Sequence, residues 1–328
     1  MIKYIFKRIL WMIPILFGVI VIVFSICHFM PGDPVLLMLD SDYTEEEYQL
    51  TAEKYGLDKP FLQQLFNYIK DFVLHGSLGN SYSTGRAVTK ELSGRIWISV
   101  RLGLMSIFLT TIIAIPIGII SAIHQNSILD YGVSFIAIFL ASMPGFWVAL
   151  MLIIVFCLQL KWFPAAGLNS WKSYVLPVLC NALGPLAITL RMTRSSMLEV
   201  IRQDYIRTAR AKGLSEQVIT VRHAFKNALI PVITVIGAQC SMVIGGSVVI
   251  ESVFSIQGMG TRLVTAIGSR DYQVILGITI VISIFSMVMQ LLVDLLYAAF
   301  DPRIKAEFSK GSRSKNRKQA DRPEAEVK

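Results

Sequence analysis

From Ile9 to Phe29 the chain carries no Asp, Glu, Lys or Arg, and a run of this length crosses the roughly 30 Å hydrocarbon core of a bilayer as one helix. Five further apolar stretches follow, about Ser99–Ile123, Tyr131–Leu160, Tyr174–Arg191, Leu229–Val249 and Gln273–Phe300. In hydrocarbon the backbone must satisfy its own hydrogen bonds, so a single-chain run of this kind folds as a helix. Composition agrees: the 328 residues are 54% hydrophobic and only 16% charged, too little charge to cover a soluble surface of this size. The expected fold is an all-α polytopic membrane protein with six transmembrane helices.

Charge placement sets the expected topology. The net charge is +9, with Lys3, Lys7 and Arg8 ahead of the first span, a basic loop in the centre, and nine Lys/Arg beyond Phe300. Cations cluster on the cytoplasmic side of membrane proteins, which puts both termini and the central loop inside. Residues 30–98 hold ten acids and six bases and belong outside. Cations spread in this way mark membrane orientation, not a nucleic-acid surface. The first span resembles a signal peptide but is longer and lacks a small-x-small cleavage site, so it reads as a retained helix. The chain therefore divides into a first helix (1–30), an extracytoplasmic segment (31–98), a five-helix core (99–305) and a disordered basic tail (306–328).

The extracytoplasmic segment has its own punctuation. Met30-Pro31-Gly32-Asp33-Pro34 stops the first helix. Thr44 and Glu47 form a capping box for a short helix that ends near Gly56. Asp58 and Pro60 open a second, whose Leu62, Leu65, Phe66, Ile69, Phe72 and Val73 share an apolar face expected to pack on the rest of the protein. Within the core, Pro116, Pro144-Gly145, and Pro177 with Pro185 interrupt three successive spans. Proline frees backbone carbonyls, and helices so interrupted tend to kink and line cavities. Pro144, Asn181 and Glu251 are the candidate pathway residues, Glu251 because an isolated intramembrane acid is a functional candidate. A competing reading has Glu251 facing water at the outer boundary. Gly237, Gly245 and Gly246 permit close helix approach in the fifth span, and Asp294 near the inner end of the sixth suits a salt partner or snorkelling better than a proton relay.

No catalytic or metal-binding constellation stands out. Cys27, Cys157, Cys180 and Cys240 lie in apolar spans without a Cys-x-x-Cys pair, and His28, His75, His124 and His223 are scattered. The sequence contains no Gly-x-x-x-x-Gly-Lys-Ser/Thr phosphate loop. No cofactor is expected on this chain, and a membrane enzyme is poorly supported.

The central loop carries the strongest signal. Between Arg191 and Lys226 it holds eight Lys/Arg against three Asp/Glu. Leu198, Ile201, Tyr205 and Ala209 recur at helical spacing, as do Leu214, Val218, Val221 and Phe225. Gly213 suits a left-handed helix end and Ser215 the next N-cap, with Glu216 in the first turn. A helix–Gly–helix element on a membrane surface suits docking of another protein; a plain basic loop that holds orientation is the simpler alternative.

The run Asp204-Tyr205-Ile206-Arg207-Thr208-Ala209-Arg210-Ala211-Lys212-Gly213-Leu214-Ser215, continued by Arg222-His223-Ala224 and Asn227-Ala228-Leu229-Ile230-Pro231, resembles the EAA coupling loop of ABC importer permeases. The version is that of the dipeptide/oligopeptide/nickel group. Arg207 and Thr208 stand where the general motif has Glu and Ala, and its closing Ile-x-Leu-Pro is absent, as is usual in that group. Gly76-Ser77-Leu78-Gly79, Ser142-Met143-Pro144-Gly145-Phe146 and Arg270-Asp271-Tyr272 are similar to further family segments. The resemblance spans nearly the whole chain, from Met1 to about Lys305.

The resemblance implies a type I ABC importer permease, one half of a translocation pathway for dipeptides or oligopeptides, in the bacterial or archaeal cell membrane. Nickel chelates, glutathione-like compounds and sugars are carried by relatives. It implies a second homologous permease, two cytoplasmic ATPases that bind ATP and magnesium, and an extracytoplasmic binding protein as partners. The loop 195–231 would couple to an ATPase through Asp204, Tyr205, Arg207, Ala209, Arg210, Lys212, Gly213 and Leu214, with small size at Ala209 and Gly213 admitting it to a cleft. The alternatives are a self-sufficient secondary transporter or channel, which calls for midmembrane charges and usually an internal repeat, and a membrane-anchored scaffold.

Overall fold

A computed structural model of the chain describes residues 2–300, positions 37, 40 and 41 excepted; the tail expected at 306–328 lies outside them. The described residues form helices and connecting loops: α1 (Ile2–Phe29), α2 (Glu45–Tyr55), α3 (Phe61–His75), α4 (Val88–Ile123), α5 (Ile128–Ser142), α6 (Gly145–Leu152), α7 (Lys172–Ile201), α8 (Asp204–Ala211), α9 (Glu216–Val218), α10 (Lys226–Gly246), α11 (Val248–Val253), α12 (Met259–Gly268) and α13 (Tyr272–Phe300). Wider π-helical turns, Ile153–Gln159 and Ile219–Phe225, continue α6 and join α9 to α10. Five helices are long and apolar enough to cross a bilayer, and α5 with α6 makes a sixth if the bent pair is one span.

The proline-containing spans do not behave alike. Pro116 sits inside α4, and Pro177 and Pro185 inside α7, without ending either helix. Neighbouring helices also bond to the α7 backbone around Pro185: Thr110 Oγ1 donates to the carbonyl of Ala182 at 3.3 Å, and Gln239 Nε2 to that of Pro185 at 3.2 Å. Only at Pro144 does the chain turn, by 97° between α5 and α6. There Met143 is extended, as proline demands of the residue before it, and the Pro144 carbonyl restarts the helix by accepting from Trp147 and Val148. Three successive breaks were expected; one is found.

Helix α4 begins at Val88 rather than at the expected Ser99, so its first turns belong to the polar segment. It pairs with α7 along the most extensive interface of the fold. The two backbones approach closely at Gly118, where an added Cβ would stand 2.9 Å from the Leu190 carbonyl oxygen. Gly237 plays the same part between α10 and Val293 of α13, with 2.4 Å for a Cβ.

Three ionic ties hold the helix ends. Arg8 of α1 pairs with Asp294 of α13 at 2.9 Å, which favours the salt partner over snorkelling for this residue. At the same end of the bundle, Asp130 is buried at the start of α5. Arg194 of α7 grips it through two bonds of 2.6 and 2.7 Å, Ser121 Oγ donates at 2.5 Å and the Asn126 N–H at 3.0 Å. At the opposite end, Arg262 of α12 is 8% exposed and bridges Glu91 at 2.9 Å and Asp271 at 3.4 Å. Asp271 is fully buried and also accepts from Ser81 Oγ (2.5 Å), Ser83 Oγ (2.8 Å) and the Tyr82 N–H (3.0 Å). The loop before α4 is thereby clamped across the start of α13.

The short helices follow their sequence signals. Thr44 and Glu47 form the reciprocal capping box and Gly56 the left-handed stop, φ +67°. On α3, Leu65, Ile69 and Phe72 pack on the main core with Tyr68, whereas Leu62, Phe66 and Val73 are exposed. The apolar stripe is wider than the surface available to cover it, so only half of the expected face is buried.

Arg262→Met removes the cation between the buried Asp271 and the partly buried Glu91. A loss of about 3–5 kcal/mol is expected for breaking a buried pair by one partner, read as a lower melting midpoint of detergent-solubilised protein; Arg262→Lys is expected to fall between the two.

Candidate functional site

The element between α7 and α10 is solvent-facing but not a floppy loop. Helix α7 continues through Ile201, where Arg202 and Gln203 turn the chain, and α8 starts afresh at Asp204. The periodic run Leu198, Ile201, Tyr205 and Ala209 is therefore divided between two helices, not carried by one. After α8, Gly213 takes φ +76°, a conformation that costs an L residue with a Cβ about 1–2 kcal/mol. Ser215 stands at the N-cap position of α9 in extended geometry, but its hydroxyl makes no capping bond. From Glu216 the helix runs on through the π turn into α10, so the second short helix expected from sequence is the entry turn of a span.

Helix α8 has two clear faces. Ile206 (0% exposed) and Ala209 (6%) turn inward against Met197 of α7, Ala122 of α4, and Ile219, Ala224 and Ala228 at the start of α10. The other face presents Asp204, Arg207, Thr208 and, past the helix end, Lys212. Ala209 was expected to touch a partner because it is small; it is small because α8 lies directly on its own neighbours. Val218 and Val221 depart the other way. They are exposed, and the buried positions of that stretch are Ile219 and Ala224. The π turn shifts the helical register here, which a 3.6-residue count does not anticipate.

Polar ties fix the element in shape. Arg210 makes a forked pair with Glu216, at 2.8 and 3.2 Å, across the Gly213 turn. The carboxylate holds the Arg210 guanidinium above its usual pKa. Asn227 Nδ2 donates to Tyr205 Oη at 2.9 Å, which joins α8 to α10. Asp204 and Arg207 meet only loosely at 3.9 Å and are largely exposed, a contact worth little in water that leaves both free to engage a partner. Leu214 is 39% exposed. Seven of the eight coupling residues face solvent in whole or in part, and Ala209 does not.

The three pathway candidates are not brought together. Pro144 is exposed at the α5–α6 bend and Asn181 is half-buried within α7. Glu251 is 0% exposed, which removes the water-facing alternative. Its carboxylate accepts from Ser99 Oγ at 2.6 Å, Ser247 Oγ at 2.7 Å and the Gly260 N–H at 2.8 Å. Ser99 Oγ in turn accepts from the Met259 N–H at 2.8 Å. A carboxylate at the N-terminus of α12 meets unpaired amides and a favourable dipole, and so locks α4, α11 and α12 together. The geometry gives Glu251 a structural role at this junction.

Sequence reasoning missed Arg262, Asp130 and Arg194. The ionic partners are 9 to 171 residues apart, beyond any local periodicity. Among the described residues no group of His, Cys, Asp and Glu is arranged to hold a metal ion.

Comparison with known proteins follows the whole length. Residues 114–306 match the family described as binding-protein-dependent transport system inner membrane component, and residues 1–102 match its N-terminal companion. The glutathione transport system permease protein GsiC of Escherichia coli (strain K12) is 38% identical over 93% of this chain and 99% of its own length. The dipeptide transport system permease protein DppB of Alkalihalophilus pseudofirmus is 39% identical over 93% of this chain and 100% of its own. Among solved structures, a chain of the MetNI methionine ABC transporter in inward-facing conformation superposes with a TM-score of 0.54, at 18% identity, over 64% of this chain and 96% of that one. That likeness supports the fold.

Ala209→Leu forces three extra heavy atoms of side chain beneath α8. Overpacking of this kind costs about 1–3 kcal/mol. The expected outcome is faster protease cleavage between α7 and α10 with the spans intact, whereas Thr208→Leu on the open face leaves cleavage unchanged.

Proposed function

The chain belongs to the binding-protein-dependent transport system inner membrane component family, and from that premise we propose how this permease of the peptide-importer group couples to its motor and what it carries. It is a multi-pass membrane protein and the transport subunit of an ABC importer. The observation that carries the coupling reading is the rigid, exposed α8–Gly213 element seated on the ends of three spans.

The chain pairs with a second homologous permease, and each permease presents α8 to a cytoplasmic ATPase that binds ATP and magnesium. An extracytoplasmic binding protein delivers the substrate. Both termini and α8 lie in the cytoplasm; α2 and α3 lie outside. Short peptides are the substrate class, since relatives of 38–39% identity are named for glutathione and dipeptide transport. Asp204, Arg207 and Lys212 meet the ATPase through polar contacts, and Tyr205 and Leu214 add apolar area.

The packing gives this coupling a physical route. Ile206 and Ala209 seat α8 in one cluster with residues of α4, α7 and α10, so displacement of α8 shifts the ends of these spans together. The Asp130–Arg194 pair adds α5 to the same body. Close-packed interfaces pass on such shifts as rigid-body motion between two arrangements. The 97° bend between α5 and α6 supplies a joint at which the moving body can change angle.

Gly213 provides the test. An added Cβ meets nothing within 4 Å, so a substituent there acts through backbone strain. Gly213→Val is expected to lower substrate-driven uptake about tenfold, the equivalent of 1.4 kcal/mol, with normal membrane abundance and ATPase activity no longer stimulated by substrate. Gly213→Asn, which tolerates the left-handed conformation, is expected to stay near the parent. Equal uptake by parent and Val variant would contradict the coupling role of this turn.

A further inference from the structure

At the α2–α3 end of the molecule lies a cavity of about 930 Å³, bounded by α1, α2, α3, the 76–82 loop and the start of α13. It is remote from α8 and is not part of the coupling element. Its size falls within the roughly 300–1,000 Å³ of small-molecule sites. The lining is chemically one-sided. Asp33, Glu53, Asp58 and Asp71 contribute to it, and no lysine or arginine side chain does. Of the nearby cations, Arg270 lies against Gly32, Lys59 beside Gly56, and Lys54 over the Tyr55 ring at 5.6 Å. His28 lines the cavity too, stacked among Phe24, Phe29 and Phe61.

The inner wall carries a second, independent observation. Tyr68 and Tyr272 are 8% and 7% exposed and line the cavity, and neither hydroxyl has a hydrogen-bond partner among the described residues. Gln273 lines it as well; its Nε2 donates to Tyr82 Oη at 3.2 Å, while its Oε1 also has no partner. Buried polar atoms are paired in most proteins, and orphans call for a reason. Asp33 is held in place by Tyr48 Oη at 2.5 Å and the Val35 N–H at 2.8 Å, which leaves carboxylate lone pairs to spare. The wall thus offers acceptor atoms from two phenols, an amide and a carboxylate, with Phe24 and the tyrosine rings as apolar surface. An ammonium brings three N–H donors and a positive charge to such a wall, aromatic faces favour it further, and acids at the mouth raise the local concentration of cations.

We propose that this cavity is a binding site for a primary ammonium group, carried by a small solute such as the amino terminus of a short peptide or by the headgroup of an ethanolamine lipid. The site itself stands independently of the transport assignment; only the peptide source rests on the substrate reading above.

The test uses the full-length chain in phosphatidylcholine nanodiscs, with radiolabelled alanyl-phenylalanine as the probe and its N-acetylated form as competitor. Saturable binding is expected, with the acetylated peptide at least about tenfold weaker. The Tyr68→Phe/Tyr272→Phe double variant keeps both rings and loses only the hydroxyls; it is expected to bind at least about fivefold more weakly, as is Asp33→Asn, each at an unchanged melting midpoint. Should the double variant not fold, Asp33→Asn alone carries the comparison. If the dipeptide binds only weakly but phosphatidylethanolamine added to the nanodiscs is retained in a manner that depends on the same hydroxyls and on Asp33, the ammonium chemistry holds and the source is lipid. Equal competition by free and acetylated peptide, or binding of either ligand indifferent to all three side chains, would overturn the site. Neither result bears on whether the chain co-assembles with ATPases, so failure here is separable from failure of the importer reading.

Discussion

A carboxylate withdrawn from water must find its partners within the chain, because neither lipid nor a packed core will supply them. Three acids of this permease meet that condition, and the fold is arranged around them. Asp130 collects Arg194, Ser121 and the Asn126 amide; Asp271 collects Arg262 and the 81–83 loop; Glu251 collects two serines and the first amides of α12. Each gathers segments from different parts of the chain at a helix end. Apolar packing holds the spans side by side without fixing their rotation or depth, since lipid competes for the same surfaces. The charged ties supply what apolar contact lacks, a defined register.

The distribution of these ties also separates rigid from movable parts. At the α8 end, Asp130–Arg194 and the Ile206–Ala209 seat join α4, α5, α7, α8 and α10. At the other end, Glu251 and Arg262 join α4, α11, α12 and the loop ahead of α13. Between them lies the one sharp bend, at Pro144, whereas the Ile219–Phe225 π turn packs within the α8 seat. Both groups hold α4, so a displacement at one end reaches the other through the helix they share.

Much of this was legible from sequence where the governing physics is local. The six apolar runs, the Thr44–Glu47 box, the left-handed Gly213 and the close approach at Gly237 all depend on residues near in sequence or on a single residue's geometry. The failures share a cause. Whether a proline breaks its helix depends on what packs around it, and Thr110 and Gln239 reach the α7 backbone near Pro185 from other helices, which no window on α7 contains. The inward turn of Ala209 depends on α10 lying beneath it, and the exposure of Val221 on a π turn that shifts the register. Glu251 was legible as an unusual residue, but its environment is built from Ser99 and Gly260, one of them 152 residues away. Local chemistry names such a residue; only the packed fold assigns its work.

Whether a motor grips α8, as proposed, is decided by gentle affinity purification of the tagged chain from native membranes, with mass identification of the retained proteins and uptake assayed in vesicles. Recovery with two P-loop ATPase chains and a second permease, and uptake that stops without ATP, is the expected result. Recovery of the chain alone or as a homo-oligomer, with uptake undiminished in ATP-free vesicles, would overturn the proposal.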